Sequence, residues 1–338
     1  MSAMIALRFS PLFFLANLIC GGACRILPET PHGDTDTYTD ADSTENSDGD
    51  GDGDTIPEDC DAHFSGIEPK FLEAPAAEDF VFDNIGNLLS IESGDLFRTR
   101  YGSPPELWVP AVGGGSNGFT RGTRILVGGD LVVADPSSNS IFRINKDDGS
   151  KTVVIGNLSD PNGIAVDLAG FIYLTLGTGE VRRIDPNSGA NELLFEDAAS
   201  LDGITFSHDY RKLYFNTEEG QIYRANIESG GTLSDAESWV TVPTELLLDG
   251  MTTDICGNIY VVEMSGSIVR VESATGEQTT VTKIVTTGGS DPAFIPAVNF
   301  GSGRGGWKST ALYVQELFKQ GVYEIDIGIR GKKEPHLQ

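Results

Sequence analysis

Four oxygen-bearing side chains stand at equivalent places along the chain: Glu78, Asn162, Asp202 and Asp249. Each opens one copy of an internal repeat, so a fold that arranges the copies around an axis would point all four at that axis. Such carboxylate and amide groups would repel one another strongly on a shared axis unless a cation lay among them. Oxygen ligands from separated segments suit a hard ion, calcium above magnesium. The pattern therefore predicts a calcium site, with another divalent cation as the alternative.

A simpler interpretation is that these residues belong to turns, because Asn-Gly and Asp-Gly are common turn dipeptides. Glu78 does not fit that interpretation, since Asp79 and Phe80 follow it instead of glycine. No cluster of His or Cys competes for zinc. The four histidines are scattered over the chain, at His32, His63, His208 and His336.

The copies themselves define the elements that must position these side chains. From Asn162 and from Asp249 the offsets agree, with Asp at +5, Gly at +8 and Tyr at +11. Later in each copy an apolar residue, any residue and Arg recur, at Arg98, Arg143, Arg183, Arg224 and Arg270, with Glu324 in the sixth place. Alternating apolar residues between turn residues predict short strands. Six units of four strands at this period indicate an all-β, six-bladed β-propeller.

Two recurrent sets of side chains and one spare segment have structural interpretations. Tyr173, Tyr214 and Tyr260 share one repeat position and are expected in the blade core. The recurrent arginines are expected to make contacts between strands. The sixth unit lacks a fourth strand, and the strand-like segment 67–72 precedes the first copy. We expect this segment to supply the missing outer strand and close the circle of blades.

The predicted propeller spans residues 64–329, preceded by a signal peptide (1–23) and a disordered Asp-rich linker (24–63) and followed by a tail (330–338). Arg8 precedes an apolar run at 11–19 and small residues before Cys24, which is typical of an export signal. Cleavage before Cys24 would resemble a bacterial lipoprotein signal, although Gly21 and Arg25 depart from that pattern. Two locations stay open, a lipid-anchored envelope protein and a secreted one. A membrane contact is expected only through the anchor.

The linker is acidic and nearly devoid of apolar residues, so it cannot offset the entropy of ordering. It contains the 1, 3, 5 and 12 spacing of a calcium loop, at Asp48, Asp50, Asp52 and Asp59. An Asp-Gly run produces this spacing by chance, and Asp at position 12 is a poorer bidentate ligand than Glu. A solvated linker and a second calcium loop both stay open.

The formal charge of −27 excludes a nucleic-acid partner, because no basic face is available for phosphates. We expect a monomer. In an exported chain Cys60 and Cys256 are able to pair, which would fix the end of the linker to the propeller. Spacing alone leaves two separate thiols as the alternative.

Residues 64–329 resemble the SMP-30/gluconolactonase/LRE group and its paraoxonase and strictosidine-synthase-like relatives. The resemblance is carried by five segments, Ala77-Glu78-Asp79, Pro161-Asn162-Gly163, Leu248-Asp249-Gly250, Phe300-Gly301 and Leu312-Tyr313-Val314. It implies a six-bladed propeller with a catalytic divalent metal, usually calcium, held by Glu78, Asn162, Asp202 and Asp249. Asp202 departs from the family, which has Asn at this place.

Two further departures bear on the substrate. Asp160 stands where gluconolactonases place a sugar-acid-binding Arg, and Arg121 stands where paraoxonases place a His. The resemblance still implies an exported calcium-dependent hydrolase of small-molecule esters or lactones. Asp249 or Asp202 would be the general base, and Arg121 would bind substrate. The alternative is a non-catalytic, surface-tethered propeller with a structural metal that binds or scaffolds, because a fold does not fix a function.

Overall fold

The computed structural model describes residues 60, 64–114, 119–285 and 293–338. These residues form an all-β, six-bladed β-propeller, as predicted. The predicted signal peptide, Cys24 and the aspartates of the possible calcium loop lie outside the described residues. Within the described ranges, no helix has the length and apolar character needed to cross a bilayer.

Each blade is a four-stranded antiparallel sheet. Blade I contains β2 (Phe80–Phe82), β3 (Asn87–Glu92), β4 (Asp95–Arg100) and β5 (Glu106–Val109), and blade II contains β6 (Thr123–Ile125), β7 (Leu131–Asp135), β8 (Ser140–Ile144) and β9 (Lys151–Ile155). Blade III contains β10 (Pro161–Val166), β11 (Ile172–Leu176), β12 (Glu180–Ile184) and β13 (Asn191–Glu196). Blade IV contains β14 (Leu201–Phe206), β15 (Lys212–Thr217), β16 (Gln221–Ile227) and β17 (Leu233–Thr241). Blade V contains β18 (Leu248–Thr253), β19 (Ile259–Glu263), β20 (Ser267–Val271) and β21 (Gln278–Lys283).

Blade VI is built from both ends of the propeller, as predicted from the spare segment at 67–72. It contains β22 (Val298–Phe300), β23 (Ala311–Glu316), β24 (Gly321–Asp326) and, as the outer strand, β1 (Lys70–Glu73). β1 pairs antiparallel with β24, with Phe71 opposite Tyr323. The pairing closes the circle of blades and covers the edge that β24 would otherwise expose.

The first strand of each of blades I to V contacts the first strand of the next blade, so these strands line the central channel. The apolar core lies between blades, where the faces of successive sheets pack. Tyr173, Tyr214 and Tyr260 are almost completely buried there. The prediction that they belong to the core is therefore confirmed.

The repeated Asp and Gly form the turn that ends the channel strands β2, β10 and β18. Asp167 Oδ1 accepts the backbone N–H groups of Ala169 (3.0 Å) and Phe171 (2.8 Å). Asp83 does the same for its own turn. Gly170, three residues after the aspartate, has a φ of 88°, a conformation that favours glycine.

The repeated arginines connect neighbouring strands of a blade, as predicted. Arg98 stacks on Trp108 with 3.4 Å from its Cζ to the ring centroid, whereas Arg143 Nε donates to Asp130 at 2.7 Å. Glu324 replaces Arg in blade VI and accepts a hydrogen bond from Tyr101 of blade I at 2.6 Å. The replacement of Arg by Glu therefore allows a hydrogen bond that connects the last blade to the first.

The end of the channel opposite the strand starts is covered by the chain termini of the propeller. A disulfide joins Cys60 to Cys256, with 6.0 Å between their Cα atoms, so the structure selects pairing over separate thiols. Gly331 forms a bridge with Asp254. His336 Nε2 lies 2.8 Å from the carbonyl oxygen of Phe82. The predicted tail therefore packs against channel strands.

Candidate active site

The four predicted ligands come from four blades. Asn162, Asp202 and Asp249 are each the second residue of a channel strand, in β10, β14 and β18, and Glu78 precedes β2. All four line one open cavity at the start of the channel strands. We call these four side chains the ring. The structure thus brings the predicted residues together, while their roles as ligands stay predictions.

The glycines that follow Asn162, Asp202 and Asp249 are a packing requirement, which argues against the turn interpretation. Gly163, Gly203 and Gly250 lie inside strands, and the pairing register shifts by a bulge at each of these places. A Cβ on Gly163 would lie 2.4 Å from the backbone oxygen of Asp202. The absence of a side chain therefore allows neighbouring channel strands to approach closely, which draws the ring residues together.

The ring is largely removed from water. Asn162 is 4% exposed, and Asp202 and Asp249 are each 6% exposed. Glu78 Oε2 is buried and has no hydrogen-bond partner. A buried carboxylate oxygen without a donor is costly, so the site has unused capacity for a positively charged or hydrogen-bonding group.

Burial dominates the acid–base properties of the ring. It raises the pKa of Asp202 to about 7, opposed by Arg121 and by side-chain interactions with Asp249 and Asn162. It raises the pKa of Asp249 well above its usual range, and the charges of Asp202 and Glu78 add to this effect. The pKa of Glu78 is also raised well above normal, chiefly by burial, against the opposing charge of Arg121. In each case, burial and nearby carboxylates disfavour the ionised form.

Arg121, which the sequence predicted as a substrate-binding residue, holds the blade II position of the same set. Gly122 follows it, and a Cβ on Gly122 would lie 2.4 Å from the backbone oxygen of Asn162, as for the other glycines. Arg121 Nε lies 3.7 Å from Glu78 Oε1, and its Nη1 lies 3.1 Å from Asp160 Oδ1. The residue-glycine pair of Asn162, Asp202 and Asp249 therefore recurs at Arg121 and Gly122.

Asp79 is a second residue whose part was missed. Its Oδ2 accepts hydrogen bonds from Arg124 Nη1 at 2.7 Å and from the backbone N–H of Thr123 at 2.8 Å. Asn299 of blade VI donates to the neighbouring carbonyl of Phe80 at 2.8 Å. Asp79 therefore links blades I and II next to Glu78 in the chain and fixes the backbone that carries it.

A divalent cation fits the ring in donor type and in charge. Carboxylate and amide oxygens suit calcium, and Glu78 Oε2 is a buried acceptor with no partner. Among the residues that the structure describes, however, no three His, Cys, Asp or Glu side chains are already grouped as a set of metal ligands. The donors would therefore have to draw closer to coordinate one ion together.

Comparisons with known proteins agree with this architecture. Residues 169–298 match the model of the SMP-30/Gluconolactonase/LRE-like region. Residues 134–168 match the low-density lipoprotein receptor repeat class B. A search of curated protein sequences returned no match.

Three solved structures illustrate the likeness in fold. A gluconolactonase from Xanthomonas campestris is 18% identical, with a TM-score of 0.60 over 82% of this chain and 98% of its own. A luciferin-regenerating enzyme is 16% identical, with a TM-score of 0.61 over 79% and 98%. Regucalcin from Agrobacterium tumefaciens, described as a calcium-binding protein, is 17% identical, with a TM-score of 0.56 over 80% and 95%. At these identities the likeness concerns the fold.

Proposed function

From the match of residues 169–298 to an SMP-30/gluconolactonase/LRE-like region, we propose that the protein hydrolyses small-molecule lactones or esters with the help of calcium. The same match confirms the resemblance drawn from the sequence. One observation carries the proposal: three carboxyl groups and one amide from four blades line a single cavity, and Asn162, Asp202 and Asp249 are almost fully buried in it. A propeller does not require such a concentration of acids for stability, and perturbed acids in a cleft are typical of functional sites.

Glu78, Asn162, Asp202 and Asp249 are the residues that would hold the cation. When bound, a divalent cation supplies Lewis acidity, which polarises a carbonyl group and makes water more acidic. Asp202 adds a carboxylate at a place where related proteins have an amide, so the ring offers more negative charge for the ion. That extra charge favours a tightly held cation of low electrophilicity.

The side chains of the ring provide the proton transfer. Asp249 or Asp202 accepts the proton of a water molecule as its oxygen bonds to the carbonyl carbon. The bond from that carbon to the leaving oxygen then breaks, and the leaving oxygen takes the proton. Burial raises the pKa of both aspartates in the metal-free site. Arg121, at the edge of the ring, is proposed to orient the substrate.

The negative ring also bears on the choice of substrate. Asp160 occupies the place at which a basic residue would bind a sugar acid, and it pairs with Arg121 at 3.1 Å. Neutral esters and lactones therefore suit the site better than sugar acids. We further propose that the protein is exported and acts as a monomer, either free or tethered through Cys24.

The proposal is tested by assaying aryl esters and lactones of increasing ring size with CaCl2 and again with a chelator. We expect hydrolysis that the chelator abolishes and that Asp249→Ala reduces by at least 100-fold. Asp209→Asn is the control, because it removes a carboxylate from a turn outside the ring.

Hydrolysis that persists in chelator would refute the role of calcium. No hydrolysis of any compound would refute the enzyme and favour the binding propeller instead. That alternative draws support from the receptor-type repeat matched at residues 134–168.

A further inference from the structure

We propose that Arg121 is a tethered counter-cation of the ring, which occupies the Glu78 carboxylate when no metal is bound and competes with a divalent cation for it. The inference concerns cation binding at the site of the proposed function. It does not depend on which compound, if any, is hydrolysed.

The position of Arg121 in the fold is the first support. Its backbone is equivalent to that of Asn162, Asp202 and Asp249, because Gly122 packs against the next channel strand as their glycines do. Gly122 N–H donates to the backbone oxygen of Asn162 at 3.1 Å. A cationic side chain thus starts from the same level of the channel as the predicted ligands.

The contacts of the guanidinium are the second support. Arg121 lies between two carboxylates, Glu78 at 3.7 Å and Asp160 at 3.1 Å. Its side chain is 23% exposed, whereas that of Asp160 is 46% exposed. The Glu78 side chain is 16% exposed, so Arg121 has a less exposed partner inside the ring and a more exposed partner at the edge, and loss of the first leaves it paired with the second.

The balance of charge is the third support. Arg121 interacts electrostatically with Glu78, Asp160, Asp202 and Asp249. When all four are ionised, a single positive charge faces four negative ones. The longer contact, to Glu78, leaves Oε2 of that carboxylate without a partner. Arg121 thus satisfies the ring only in part, and a divalent cation supplies more charge to the same oxygens.

Competition has a consequence for activity. A cation that takes Glu78 displaces the guanidinium, which keeps its ion pair with Asp160. Metal binding and the availability of Arg121 to a substrate are then coupled, and the coupling is reciprocal. A purely structural ion pair between blades I and II would show no such dependence on the metal.

Calorimetric titration with CaCl2 tests the proposal on the wild-type protein and three variants. We expect Arg121→Gln to bind Ca²⁺ at least tenfold more tightly than wild type, because the competing charge is gone. Arg121→Lys keeps a charge and should stay closer to wild type. Arg182→Gln is the matched control, since Arg182 is 26% exposed and pairs with Glu180 away from the ring; it should leave Ca²⁺ affinity unchanged.

An Arg121→Gln affinity equal to or weaker than that of wild type would overturn the proposal, as would the absence of Ca²⁺ binding in both. Calcium binding by Arg121→Gln alone would support it. If that variant fails to fold, the wild type provides the test through its arginine Nε–Hε NMR signals, assigned with Arg121→Lys. The Arg121 signal should move on addition of CaCl2, and an unmoved signal would refute displacement. Because these readouts measure binding, they are separate from any failure to find a hydrolysed substrate.

Discussion

Replacing Gly203 with alanine tests how the ring is assembled. The new Cβ would lie 2.4 Å from the backbone oxygen of Asp249 and 2.5 Å from Asn216 Oδ1, whereas ordinary contacts begin near 3.4 Å. Strands β14 and β18 would therefore have to separate by about 1 Å. Overpacking of this kind costs about 1–3 kcal/mol, and we expect about 3 kcal/mol because one neighbour is backbone. For a domain of this size the melting temperature should fall by about 6–12 °C.

The matched control is Gly156→Ala, since a Cβ there meets nothing within 4 Å. This substitution restricts the unfolded chain and should raise the free energy of unfolding by about 0.4–1 kcal/mol. Thermal unfolding followed by circular dichroism measures both changes. Equal melting temperatures for the two variants would show that close strand approach does not hold Asp202 and Asp249 together.

Three further predictions concern the frame around the site. Reduction of the Cys60–Cys256 disulfide, which spans 196 residues, should lower the free energy of unfolding by about 2–5 kcal/mol in denaturant titrations, and Cys60→Ser should then be insensitive to reductant. Burial alone would raise the pKa of Glu324, but hydrogen bonds from Tyr101 and Tyr313 outweigh it and hold that pKa below normal. The stability that the Glu324 carboxylate contributes is therefore complete above its ordinary pKa of 4.5 and is lost as the pH falls through its folded pKa. The melting temperature should therefore fall more steeply with decreasing pH, in the acid range, for wild type than for Glu324→Gln. Deleting residues 1–73 should expose the edge of β24 and produce aggregates in sedimentation experiments, and a soluble monomer would contradict the closure.

The sequence was sufficient to predict the blades, because each blade repeats the same local signals. Asp167 and Gly170 describe a turn that Asp83 and Gly86 repeat, and the turn chemistry is local. The closing strand was also predictable, since the sixth unit lacked a fourth strand and a spare one stood ahead of the first copy. Its bounds moved to Lys70–Glu73, because pairing with β24 decides where it begins and ends.

The ring was predictable in position, but its detail was not. Gly163 looks like a turn residue in the sequence, and only the approach of β14 shows that it serves packing. Arg121 was assigned by likeness to a rim contact, yet its partners Glu78 and Asp160 come from blades I and III. The fit of residues 330–338 over the channel likewise depends on contacts with Phe82 and Asp254, far away in the chain.

The most direct test of the account is a crystal structure of the protein grown in CaCl2, with anomalous scattering used to identify the ion. The account predicts one calcium at the channel mouth, bonded to Glu78, Asn162, Asp202 and Asp249 at about 2.3–2.6 Å, with Arg121 withdrawn towards Asp160. A ring that keeps Arg121 on Glu78 and binds no ion at saturating calcium would contradict it.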